Sequence, residues 1–179
     1  MMTLSMLLFY TLGVQGQTKN NITIRIDVDD WNQFTYTHNI NERDSALFHY
    51  WVKRNGDQFT RVNWQRVEKI NKNFSVTYGF GGQILKNKAV TDLQAYASIA
   101  PKVTVGKITA AIPFNFNISP RLPLLTKIIP TIQVKASKKL TLGYRGEFIR
   151  SSKGKWLENR QGGTADYALT NKLSTGVWI

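Results

Sequence analysis

The chain has no cysteine, which removes disulfides, thiolate metal sites and thiol chemistry from consideration. It has two histidines, His38 and His49, so a histidine-based metal site has few candidates, and no cofactor is implied. Acidic residues are scarce. Eleven Asp and Glu stand against 24 Lys and Arg, a net charge of +13. That balance points to anionic partners such as nucleic acid, lipid head groups or lipopolysaccharide, and carries no information on the fold. Beyond the start of the chain, no segment approaches the ~20 continuous apolar residues of a membrane-spanning helix. Yet 42% of the 179 residues are hydrophobic, too many for a disordered protein and enough for one domain with a core.

What is present is a period of two. "NITIRIDVD" sets Ile22, Ile24, Ile26 and Val28 against Thr23, Arg25 and Asp27. "NFSVTYGFGGQI" sets Phe74, Val76, Tyr78, Phe80 and Ile84 against Ser75, Thr77, Gly79, Gly81 and Gln83. "KITAAIPFNFNI" repeats the pattern, with Pro113 predicting an edge, a bulge or a strand end. "KKLTLGYRGEFIR" places Leu140, Leu142, Tyr144, Gly146 and Phe148 opposite Thr141, Gly143, Arg145 and Glu147. Such alternation is the mark of β-strands with one apolar and one polar face. Between residues 45 and 67 it blurs, and Trp51 and Trp64 fall among polar residues. Residues 150–163 read as a long link.

The connections resemble one another. "INKNFSVTYG", "SKKLTLGYRG" and "TNKLSTGVWI" each join a lysine-bearing turn to an alternating strand, which predicts a meander of hairpins. "RNGD" at 54–57 is a further hairpin turn. "GFGGQ" lies inside a strand, without the helix start of a phosphate-binding loop, so its glycines serve bending or close packing of the sheet. The clearer strands run to about ten residues, longer than the ~5–6 usual in soluble sheets and matching the ~9–11 of tilted membrane strands. Their wet faces carry Ser, Thr, Gly, Asn and Gln, while lysines crowd into the turns. The expectation is an all-β, up-and-down antiparallel transmembrane β-barrel of about ten strands, within a range of about eight to twelve.

The start of the chain, apolar from Leu4 to Val14 and followed by small and polar residues, has the form of a secretory signal, with Val14 and Gly16 fitting the cleavage pattern. The domain reading is thus a signal peptide over 1–16 and a barrel over 17–179. Together with the repeated "NKNFSVTYG", "KKLTLGYRG" and "NKLSTGVWI" units and the apolar, aromatic last strand, this start resembles the small outer-membrane β-barrel proteins of Gram-negative bacteria. The chain departs from that pattern in ending on Ile179, with Trp178 one position early. The resemblance implies an outer-membrane location, contact with the bilayer and with anionic lipid or lipopolysaccharide head groups, and a role as a small channel or a structural membrane protein. It implies short turns on one side, longer loops on the other, and both termini on the inner side with an even strand number.

Polar residues expected in the lumen are Arg25, Arg61, Gln83, Asn115, Gln133, Arg145 and Glu147, with Arg145 and Glu147 spaced to pair on one strand face. Aromatics expected in an interfacial girdle are Tyr78, Phe80, Tyr144, Phe148, Tyr167 and Trp178. No catalytic residues and no metal ligands are predicted, and nucleic acid is not an expected partner, because the basic residues spread through turns rather than gather on one strand face. Two other readings fit the same residues: a soluble basic all-β module binding an anionic ligand, and a lipid-modifying barrel enzyme using His38 or His49 as a base.

Overall fold

The computed structural model describes residues 20–27, 31–53, 55–87, 91–121, 123–170 and 172–178, and the signal-like stretch 1–16 lies outside them. Among the described residues there is no helix; the chain forms thirteen strand segments. They are β1 (Asn20–Asp27), β2 (Trp31–Asn39), β3 (Asp44–Lys53), β4 (Gln58–Lys69), β5 (Phe74–Lys86), β6 (Thr91–Val105), β7 (Ile108–Ala111), β8 (Phe114–Ile118), β9 (Leu125–Ile128), β10 (Thr131–Lys135), β11 (Leu140–Ser151), β12 (Trp156–Ala168) and β13 (Leu173–Trp178). β1 to β6 and β11 to β13 pair in sequence order, β7 and β8 both pair with β6, β9 and β10 both pair with β11, β7 pairs with β10 and β8 with β9, and β1 closes on β13. β7 with β8, and β9 with β10, are single wall strands interrupted at one point, so the barrel has eleven strands rather than the ten expected, within the anticipated range.

Proline causes both interruptions. Pro113 separates β7 from β8 and Pro130 separates β9 from β10, while Pro101 lies beside them in β6. The Ile112 N–H donates to the Pro101 carbonyl (3.1 Å), the Ile129 N–H to the Pro113 carbonyl (2.9 Å) and the Gly146 N–H to the Pro130 carbonyl (2.9 Å). Each proline accepts but has no N–H to return, so hydrogen bonds across these four wall strands run one way along a seam.

An odd strand number has a geometric consequence. Every neighbouring pair is antiparallel except β1 and β13, which run parallel, with Ile22 opposite Leu173 and Asp27 opposite Trp178. Asn20 and Trp178 therefore lie at opposite ends of the barrel, which corrects the expectation of an even number with both termini on one side.

Four of the five turns at the end where β1 begins share one construction, and the fifth, between β6 and β7, turns on Gly106 (φ 60°). Asn41, Asn71, Ser137 and Thr170 each accept the backbone N–H groups two and three residues on with a side-chain oxygen, as in Asn71 Oδ1 with Asn73 N (2.8 Å) and Phe74 N (2.9 Å). This is why Asn, Ser and Thr recur there: a short polar side chain completes the turn's hydrogen bonding. At the other end the turns at 54–57 and 152–155 rest on Gly56 (φ 91°) and Gly154 (φ 80°), a left-handed backbone that glycine adopts without penalty. The links at this end are short as well. Most of the expected loop 150–163 is strand β12, whose register with β11 runs from Leu140 opposite Tyr167 to Arg150 opposite Trp156.

Side chains sort by parity. Inner positions carry the buried polar residues Thr35, Asn63, Ser75, Gln83, Asp92, Gln94, Asn115, Glu147 and Thr164. Among the described residues the buried hydrophobic set is Tyr96 and Ile129 alone. Outer positions carry exposed Ile24, Val62, Phe80, Ile84, Leu93, Ile99, Val103, Ile118, Ile132, Leu142 and others. The barrel is polar within and apolar without, the reverse of the usual burial preference.

Gly81 on the inner face permits close strand contact. A Cβ there would lie 2.1 Å from the Val62 carbonyl oxygen and 2.6 Å from Asn63 Cα, both backbone atoms that cannot swing aside. The packing role expected for the "GFGGQ" glycines is met at this position.

Candidate binding cavity

A cavity of about 250 Å³ lies inside the barrel, toward the end that carries links 54–57, 87–90, 119–124 and 152–155. Trp51, Phe59, Leu85, Leu125 and Ile149, each close to a strand end, form its apolar walls. Its polar lining includes four cations, Arg61, Lys127, Arg145 and Arg160, and two carboxylates, Glu147 and Glu158.

One wall is a polar row built by register. Thr35 stands opposite His49, His49 opposite Arg61, Arg61 opposite Gln83, and Gln83 opposite Gln94, one residue from each of five consecutive strands. Gln33 Nε2 donates to Thr35 Oγ1 (2.8 Å), which lies 3.1 Å from His49 Nδ1. Arg61 Nε donates to Gln83 Oε1 (3.0 Å), the Gln83 amide donates to Gln94 Oε1, and Gln94 Nε2 donates to Asp92 Oδ2 (2.6 Å). The Ser119 hydroxyl completes the chain on Asp92 Oδ1 (2.9 Å). Buried amides in such a chain satisfy one another, which is what their removal from water demands.

Arg61 is held by rings rather than by an acid. Its guanidinium carbon lies 3.7 Å from the Tyr96 ring centroid, 5.1 Å from that of Phe59 and 5.4 Å from that of Trp51. All three contacts fall within cation–π range. Trp51 in turn packs edge-on against Phe59 (4.7 Å) and stacks on His49 (4.9 Å, 18° between planes). Tyr96 is fixed by its hydroxyl, which donates to Asn115 Oδ1 (3.0 Å). Among the described residues no carboxylate comes within ion-pair distance of Arg61.

The opposite wall pairs its charges. Glu147, 4% exposed, receives Lys127 Nζ at 2.6 Å on Oε2 and Arg145 Nη2 on Oε1. Arg160 stands opposite Glu147 in the β11–β12 register and lies 3.5 Å through Nε from Glu158 Oε1. One deeply buried carboxylate thus bonds two cations and balances the charge of one of them.

The residues singled out from sequence fall as follows. Arg61, Gln83, Asn115, Arg145 and Glu147 line the cavity, and Arg145 and Glu147 pair as their spacing suggested. Gln133 faces inward against the Gly143 backbone, away from the cavity. The side chain of Arg25 lies outside the described residues, as does that of Trp178. Tyr78, Phe80, Tyr144 and Tyr167 are exposed on the outer face, and Phe148 is half-buried there. They do not share one level. Tyr167 stands opposite Leu140, at the first residue of β11, and Phe148 lies eight residues further along that strand, roughly 26 Å away at ~3.3 Å per residue.

Sequence reasoning passed over Trp51, Phe59, Tyr96, Lys127, Glu158 and Arg160. A signal for the first two existed: alternation blurs over 45–67 because Trp51 and Phe59 occupy inner positions that elsewhere hold polar residues. Trp64 of the same stretch points outward and packs on Phe80 at 5.0 Å. His49 belongs to the interior row, and His38 Nδ1 lies 2.8 Å from Asn20 Oδ1 at the far end of the barrel. No protein-family model matches the chain, and no curated protein or solved structure is detectably similar to it.

Proposed function

We propose that this chain is a transmembrane β-barrel of the outer membrane, its apolar outer face against lipid and its interior closed by its own side chains. The observation that carries the reading is the inverted polarity: buried polar residues far outnumber the two buried hydrophobic ones, while more than a dozen large aliphatic side chains cover the outside. In water, continuous apolar surface of this extent costs roughly 25 cal/mol per Å² and drives aggregation. Against hydrocarbon that cost disappears, and closure of the sheet leaves no strand edge unpaired. Strands of twelve to fifteen residues at β4, β5, β6, β11 and β12 are long enough to cross a tilted span.

The interior argues against a wide aqueous channel. Glu147 with its two cations and the Arg61–Gln83–Gln94–Asp92 chain narrow the interior from opposite walls, as expected where eleven strands leave room for little more than side chains. The role that follows is a plugged barrel with a small internal cavity, a structural or binding protein of the membrane rather than an open pore. Cell fractionation combined with gel electrophoresis of heated and unheated samples in detergent tests the reading. Urea-resistant membrane association with a heat-dependent mobility shift is expected, and a soluble product with a single mobility would overturn it.

A further inference from the structure

We infer that the internal cavity is a binding site for a small amphiphilic anion, its acidic head on Arg61 and its apolar tail along Trp51, Phe59 and Leu125. This goes beyond the membrane reading, since it rests on the interior of the barrel alone. Three observations carry it. Arg61 is a largely enclosed cation whose described partners are three aromatic rings and one amide oxygen, with no carboxylate in ion-pair range. The ring stack and the Nε bond to Gln83 fix the guanidinium plane, and Nη1 and Nη2 make no hydrogen bond to a described residue, which leaves a preorganised donor edge for carboxylate or phosphate oxygens.

The second observation is charge. The lining holds four cations against two carboxylates, an excess of two positive charges, so an entering anion reduces the imbalance. Lys127 and Arg145 share the single charge of Glu147 and Arg160 has Glu158 beside it, so one unit of the excess lies on the Lys127–Arg145 pair and the other on Arg61, the lining cation with no carboxylate in ion-pair range. The third observation is the apolar wall. Trp51, Phe59, Leu85, Leu125 and Ile149 face inward beside the polar row and the charged wall, and a hydrated inorganic ion gains nothing from them. A molecule with an acidic head and a hydrocarbon tail uses both surfaces. At about 250 Å³ the cavity falls below the ~300–1,000 Å³ typical of drug-sized ligands, which suits a tail of about eight carbons.

The test uses the full barrel, refolded and held in amphipol so that no micelle competes for the probe, with 8-bromooctanoate as ligand and tryptophan fluorescence as readout. Bromine quenches an indole it touches, so saturable quenching through Trp51 is expected. The alcohol 8-bromooctan-1-ol should bind about tenfold or more weakly because it lacks the charge. Trp51→Phe should remove the saturable component while the unmodified acid still protects the folded form against heat. Arg61→Gln should weaken binding about tenfold or more with the heat-dependent gel shift retained. Should Arg61→Gln fail to give that shift, Leu125→Phe, which narrows the cavity from the opposite wall and leaves Arg61 in place, must weaken binding instead. Quenching that never saturates, that is equal for acid and alcohol, or that survives the folded variants unchanged would overturn the inference. The gel shift of the unmodified protein is scored separately, so loss of the membrane reading and loss of the binding site are told apart.

Discussion

Two walls of one barrel hold buried cations in opposite ways. On the β9–β12 side, Lys127 and Arg145 share the carboxylate of Glu147, and Arg160 lies beside Glu158. On the β3–β6 side, Arg61 rests on Tyr96, Phe59 and Trp51 and reaches the polar row through Gln83. A carboxylate partner saturates a cation and locks the wall in place. Aromatic faces hold a cation in position without neutralising it. The first arrangement is structural, and the second keeps a charge available.

Removing the shared partner should break the comparison most severely. Glu147→Ala leaves Lys127 and Arg145 buried without their carboxylate, and the expected loss is ~3–5 kcal/mol in urea unfolding of the refolded barrel. A cation placed where neither kind of partner exists comes next. Leu142→Arg, on the outer face, should cost ~2–4 kcal/mol of insertion stability if that face meets the bilayer midplane, measured as the folded fraction on unheated gels. Tyr96→Phe keeps the ring under Arg61 but deletes the hydroxyl bonded to Asn115, and ~1 kcal/mol should be lost in the same unfolding measurement. Smallest of all, Arg61→Met gives up its ring contacts and one amide bond but also sheds a poorly neutralised buried charge, for a net change within ~1 kcal/mol. A loss at Arg61 as large as that at Glu147 would erase the distinction between the walls.

Much of the barrel is legible in the residues. Where outer positions are aliphatic or aromatic and inner ones small or polar, as in β5, β8 and β11, the period of two fixes both the strand and its inner face. Strand β12 was hidden because its outer positions include Asn159, Gln161 and Gly163, so neither face is apolar and the segment has the composition of a loop. The two proline interruptions multiplied segments without changing the wall. The cavity was harder to see. Register brings His49, Arg61, Gln83 and Gln94 side by side from four strands, and alternation within one strand says nothing of which neighbour lies opposite. Lys127 meets Glu147 across such a boundary, whereas Arg145 and Glu147, on one strand, were visible as a pair.

The parallel closure of β1 on β13 bears on any labelling of this molecule. Asn20 lies at one mouth of the barrel and Trp178 at the other. In a sealed vesicle, a protease site engineered before Asn20 and one engineered after Trp178 would be cut from opposite compartments. For the membrane barrel proposed above, the pair of cuts would read its orientation in the bilayer directly.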